Sequence, residues 1–104
     1  MKFEIAPKPF LEALNRLLPH KRGLLRKGPL VTLNAEDGAL DVIGEFENTW
    51  SIAAKVKSEG RCTVDLITLI AKLKTYDQKT PIGFVLHEEG LRFGTTRLAL
   101  HQER

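Results

Sequence analysis

One cysteine, one tryptophan, one tyrosine and one methionine are all that this 104-residue chain holds of those four types. Cys62 alone cannot close an internal disulfide, so a disulfide-stapled scaffold is excluded and a reducing cytoplasm is the expected setting. No apolar run approaches the roughly 20 residues that cross a bilayer as a helix. The opening Met1-Lys2-Phe3-Glu4-Ile5 lacks the apolar stretch of about 7 to 15 residues that marks a signal peptide. No membrane association is expected. Nucleotide and catalytic signatures are missing too: there is no Gly-x-Gly-x-x-Gly, no Gly-Lys-Ser/Thr phosphate loop, no Gly-x-Ser-x-Gly and no Cys-x-x-Cys. His20, His87 and His101 are scattered without metal-ligand spacing, so neither metal nor cofactor is expected. Acids pair at Glu36-Asp37, Glu45/Glu47 and Glu88-Glu89, but two of these three sites read as hairpin turns, where a carboxyl lacks the apolar pocket a general acid needs. The expectation is a protein that is not an enzyme.

What is present is the composition of a globular domain, 42% hydrophobic and 28% charged, in a length that suits one core. Sixteen Lys and Arg against thirteen Asp and Glu leave a formal charge of +3. The excess is spread evenly: residues 1–57 hold nine basic and seven acidic side chains, residues 58–104 seven and six. One segment departs from that balance. Pro19-His20-Lys21-Arg22-Gly23-Leu24-Leu25-Arg26-Lys27-Gly28 carries four full positive charges and no acid.

Residues 2–6 alternate, with Phe3 and Ile5 on one face, as a half-buried strand does. Pro7 and Pro9 then suit the first turn of a helix whose apolar stripe is Phe10, Leu11, Leu14, Leu17 and Leu18, with Lys8, Glu12 and Arg16 opposite. Leu30-Val31-Thr32-Leu33-Asn34 and Leu40-Asp41-Val42-Ile43 flank Asp37-Gly38, a pair that takes the positive φ of a tight hairpin. A third strand is predicted over 48–57, with Trp50, Ile52, Ala54 and Val56 on its buried face. The order then recurs. Arg61-Cys62-Thr63-Val64 is a strand, Asp65 caps a helix striped by Leu66, Leu69, Ile70 and Leu73, and strands follow at 81–87, 91–93 and 95–102. Overlaying residues 33–40 on residues 86–93 aligns the two hairpins apart from one residue of turn length.

The fold class that results is α+β: two duplicated β-α-β-β-β units, 1–57 and 58–104, averaging about 52 residues, with two helices packed on antiparallel sheets in a single domain. Gln102-Glu103-Arg104 follows the last strand without a linker, which fits a complete domain.

Four stretches in this order carry a resemblance: Met1-Lys2-Phe3-Glu4-Ile5 before a Leu-rich helix, Gly38-Ala39-Leu40-Asp41-Val42-Ile43-Gly44, the strand end Ala53-Ala54-Lys55-Val56, and Gly90-Leu91-Arg92-Phe93. Together they resemble the DNA sliding clamps, most closely the first domain of the bacterial replicative clamp. That resemblance implies a duplicated β-α-β-β-β domain, helices lining a ring around duplex DNA, and a tethering role in replication or repair. It also implies closure of a six-domain ring by edge-strand pairing, here through 48–57 and 95–102. One such chain supplies a single domain, so a ring would take a homo-oligomer, with Trp50, Ile52, Leu98 and Leu100 at its interface. DNA polymerase or other replication proteins are the implied partners.

Lys21, Arg22, Arg26 and Lys27, with Arg16, Lys72 and Lys74 on the helices, are the residues expected to meet phosphates, since clustered cations hold a duplex without reading its sequence. A solvated loop explains the cluster equally, and an ion-pair ladder Lys8–Glu12–Arg16 explains the first helix. Trp50 fits either the core or an interface. Cys62 reads as a small buried apolar residue. The alternative function is a monomeric or dimeric interaction module that offers an exposed sheet edge to another clamp or replication protein.

Overall fold

A computed structural model describes residues 1–17, 29–45 and 48–101 of the chain. Strand β1 (Lys2–Ile5) buries Phe3 and Ile5 and leaves Lys2 in solvent. Helix α1 (Pro7–Asn15) begins on Pro7 because a proline at the first helical position loses no hydrogen bond, and it buries Phe10, Leu11, Ala13 and Leu14. Leu17 is buried in the turn after it, while Leu18 lies outside the described residues. Strands β2 (Leu30–Glu36) and β3 (Ala39–Gly44) are joined through Asp37 and Gly38, at φ 48° and 73°. These are the left-handed values that a two-residue hairpin of this twist demands.

The single strand predicted over 48–57 is two strands. β4 (Thr49–Ala53) pairs with β3, and after Ala54 the chain crosses to the other sheet, where β5 (Lys55–Ser58) pairs with β1. Alternation of apolar side chains runs through the crossing uninterrupted, so the sequence pattern carries no mark of it. Then come β6 (Gly60–Asp65) and α2 (Leu66–Leu73), whose first turn is capped by the Asp65 carboxylate accepting the Thr68 N–H at 2.8 Å. Such a cap is worth about 1 kcal/mol. β7 (Ile82–His87), β8 (Gly90–Phe93) and β9 (Thr96–Leu98) complete the order. Of the strand expected over 95–102, the described residues 95–101 form β9 alone; beyond it, His101 donates its N–H to the Thr63 carbonyl at 2.8 Å.

All pairings are antiparallel, in a five-stranded sheet β5-β1-β7-β8-β9 and a four-stranded sheet β4-β3-β2-β6. The two β-α-β-β-β stretches are interlocked: β1 pairs with β7 of the second, and β6 pairs with β2 of the first. The helices are tied across in the same way. The Lys8 N–H reaches the Gln78 carbonyl at 3.1 Å, and the Leu66 N–H reaches the Pro29 carbonyl at 2.8 Å.

This pairing corrects the hairpin overlay drawn from sequence. Leu33 faces Cys62 in one sheet as Phe84 faces Phe3 in the other, and both hairpins turn on two residues, Asp37-Gly38 and Glu88-Glu89. The match is therefore Leu33 with Phe84 and Val42 with Phe93, all buried. Both sheets and both helices share one apolar core, centred on Phe84. Its ring stacks on Phe3 at 4.8 Å, lies 4.8 Å from Phe93 and meets Phe10 edge-on at 5.5 Å. Pairs at these separations add about 0.5–1.5 kcal/mol each beyond the area they bury. No polar or charged side chain among the described residues is fully buried.

Candidate functional site

With the core apolar throughout, the chemistry of the described residues lies on three surfaces: the helix layer, the terminal strands, and the solvent faces of the sheets. α1 and α2 lie against each other, α1 reaching β4 and α2 reaching β6 and β9. Their outward positions carry Lys8, Glu12 and Arg16 from α1, and Ile67, Thr68, Lys72 and Lys74 from α2. Four cations and one acid make this layer net positive. Lys72 and Lys74 sit in and just after the last turn of α2, where cations also complement the exposed carbonyls of the helix end.

The ion-pair ladder expected on α1 does not form. Among the described residues the ion pairs are Lys57–Glu4 at 3.2 Å and Arg97–Glu89 at 2.8 Å. Arg16 instead lays its guanidinium over the Trp50 ring, 4.5 Å from the centroid. An exposed contact of this kind is worth about 0.5–1 kcal/mol, more than a solvated i,i+4 pair. Lys21, Arg22, Arg26 and Lys27 lie outside the described residues.

Trp50 is not a core residue. It faces the helix side of the four-stranded sheet, but β4 is the terminal strand, so α1 covers it on one flank only and 41% of its surface remains exposed. Pro9, Glu12, Ala13 and Arg16 line a shallow groove with Trp50 and the half-buried Ile52. Gly44 and Ala54 donate to the Asn48 and Gly38 carbonyls, which places Trp50 and Ile52 at the hydrogen-bonded positions of the β3–β4 ladder. The N–H and C=O groups of Thr49, Ser51 and Ala53 therefore point out from the sheet. β9 holds the corresponding end of the five-stranded sheet. Of the apolar pair expected to face a partner there, Leu98 is only 5% exposed and packs inward, and Leu100 is half-buried against the same core. A contact along β9 thus uses its backbone and Arg97 more than Leu98.

Strand alternation puts Lys2 on the wet face of β1, but sequence reasoning did not bring it together with Arg92 and Arg97. Lys2, Val85, Arg92 and Arg97 lie in register across four adjacent strands. The signal was present, since Arg92 and Arg97 flank the Gly94-Thr95 turn symmetrically, but reading it required the hairpin register. Ile67, 39% exposed on α2, was also missed. Cys62 is buried beside the Met1 sulfur at 3.8 Å, and burial pushes its thiol up to about 11. Glu36, Asp37 and Glu59 bring carboxylate oxygens within 4.8 Å of one another at exposed positions, an arrangement common without an ion. No described helix is long and apolar enough to cross a membrane.

No family model matches the sequence, and neither does any curated protein. Solved structures do match. The Helicobacter pylori β clamp bound to a DNA ligase peptide superposes with a TM-score of 0.79 at 15% identity, over 98% of this chain and 30% of that one. The DNA polymerase III subunit β of Pseudomonas aeruginosa gives 0.78 at 20%, over 98% and 30%. Caulobacter crescentus pol III β gives 0.74 at 18%, over 96% and 29%. The fold is that of a sliding-clamp domain, and the chain spans less than a third of the length of the clamps it matches.

Proposed function

We propose, starting from the sliding-clamp domain fold, that this chain is a non-catalytic tether in DNA replication or repair. In this reading copies join edge to edge, β4 of one against β9 of the next, and the helix layer faces duplex DNA through Arg16, Lys72 and Lys74. The loop cations Lys21, Arg22, Arg26 and Lys27 add phosphate contacts. The observation that carries the reading is the joint placement of a net-positive helix layer and a terminal strand with free amides on a clamp-domain frame. The twofold β-α-β-β-β order is, in the same reading, an internal duplication within one domain, and the cytoplasm is its setting.

Residues 1–104 span about 30% of each matched clamp, so encircling DNA takes several copies. Six is the number that the clamp resemblance implies. The interface is heterologous, and such contacts close into a ring only when the rotation between copies allows it. Trp50 and Ile52 would extend the helix-side apolar layer of the next copy beyond β9. Replication proteins are the proposed partners; the ligase peptide on the H. pylori clamp illustrates the class for that protein.

The test combines solution mass with retention on DNA. Sedimentation should give a species near six times 11.7 kDa, and the protein should remain on nicked circular duplex while sliding off linear duplex. A monomer with equal retention on both topologies overturns the tether. It would leave the second reading, an interaction module that offers β4 and the exposed Trp50 to one foreign strand.

A further inference from the structure

The solvent face of the five-stranded sheet carries a charge pattern that the fold does not require. Its central row reads Lys2, Val85, Arg92, Arg97 across β1, β7, β8 and β9. The three cations are exposed, because Phe3, Leu91, Phe93 and Leu98 beside them in sequence turn inward. The corresponding row of the four-stranded sheet, at the same register positions, reads Arg61, Asn34, Asp41, Ser51. One row is +3 and the other neutral on the same scaffold, so packing does not account for the cations.

Arg92 and Arg97 are direct cross-strand partners. Like charges so placed destabilise an antiparallel pair. Glu89 holds Arg97 at 2.8 Å, whereas Arg92 makes no ion pair among the described residues. Both arginines line two shallow depressions, one shared with His87, Glu88 and Glu89, the other with Gly94, Thr95 and Thr96. Strands lie about 4.8 Å apart, so Lys2 stands about 10 Å from Arg92 and about 14 Å from Arg97 along the row. That reach exceeds a single phosphate and covers several phosphates of one strand, which rise about 3.4 Å per nucleotide along a duplex.

We infer that this row is a second nucleic-acid contact, binding a phosphodiester backbone on the outer face of the five-stranded sheet, separate from the helix layer. Arg92 and Arg97 each meet a backbone phosphate and Lys2 takes another further along the strand. The site does not depend on ring closure or on Lys72 and Lys74.

Fluorescence anisotropy of a labelled duplex oligonucleotide over a salt series tests it with the full chain. Arg92→Glu with Arg97→Glu should weaken binding about tenfold or more and lower the log-log salt slope by about 2, one for each phosphate no longer neutralised. Arg92→Gln with Arg97→Gln should fall between, and circular dichroism melts of both variants report whether the fold is kept. The Lys72→Glu, Lys74→Glu variant should retain the slope carried by the sheet row. If it abolishes binding while the Arg92/Arg97 variants match the parent in affinity and slope, the outer site is overturned and the helix-layer reading stands. If the opposite holds, the outer site stands alone. Displacement of the duplex by low millimolar inorganic phosphate would show a single-phosphate site and overturn backbone binding.

Discussion

Trp50 shows what a residue's neighbours do to a pattern. Its position in an alternating strand reads as core, yet β4 has a partner on one side only, and Arg16, placed by sequence on the outer face of α1, becomes its cover. Whether a strand is terminal depends on pairing with distant segments, which alternation does not encode. Cys62 was legible, because its alternation with Arg61 and Thr63 has the same outcome in any sheet. Its burial has a consequence for pH. The folded thiol titrates near 11 against 9.0 when solvated, so between these values the unfolded chain has lost a proton that the folded chain keeps. Stability from this group is unaffected below 9.0 and falls as pH rises through that window. Urea denaturation should therefore show the gap between the parent and Cys62→Ala narrowing above pH 9, and a constant gap would contradict the burial of the thiol.

At the level of elements, helices were easier to read than strand edges. The start and the buried stripe of α2 were legible, since Asp65 supplies a cap and the Leu66, Leu69, Ile70, Leu73 stripe is local. The change of sheet at Ala54 was not, because β4 and β5 keep one alternation while pairing with different partners. The outward amides of Thr49, Ser51 and Ala53 make β4 the element on which the proposed association turns. Ser51→Pro removes an N–H that no bond among the described residues uses and blocks a strand arriving at that edge. Analytical ultracentrifugation should show assembly abolished or at least tenfold weaker, with the stability of the monomer lowered by about 1 kcal/mol or less in a urea melt. Unchanged assembly would remove β4 from the interface.

For the whole molecule the exchange of first strands dominates. β1 completes the sheet of the second half and β6 that of the first, and the amides of both helix starts reach carbonyls of the opposite half. Residues 1–57 produced alone would leave β1 without β7 and β2 without β6, exposing the faces that meet around Phe84. Such a fragment is expected to lack a cooperative thermal transition, and to regain one on mixing with residues 58–104. A cooperative transition in the isolated fragment would show that the halves are independent. Net charge behaves similarly at this scale: +3 overall says little, whereas the contrast between a basic row on one sheet and a neutral row on the other depends on register.

The sequence by itself determined the α+β class, the recurring β-α-β-β-β order, the helix cap at Asp65, the Asp37-Gly38 turn and most of the core, because each depends on residues within a few positions of one another. Only the tertiary structure decided which strands are terminal, that Trp50 is exposed under Arg16, that the 48–57 stretch divides between sheets, and that Lys2, Arg92 and Arg97 share a row. Each of these is a pairing between segments tens of residues apart, and a period of two states which side chains share a face without stating which strand lies beside them.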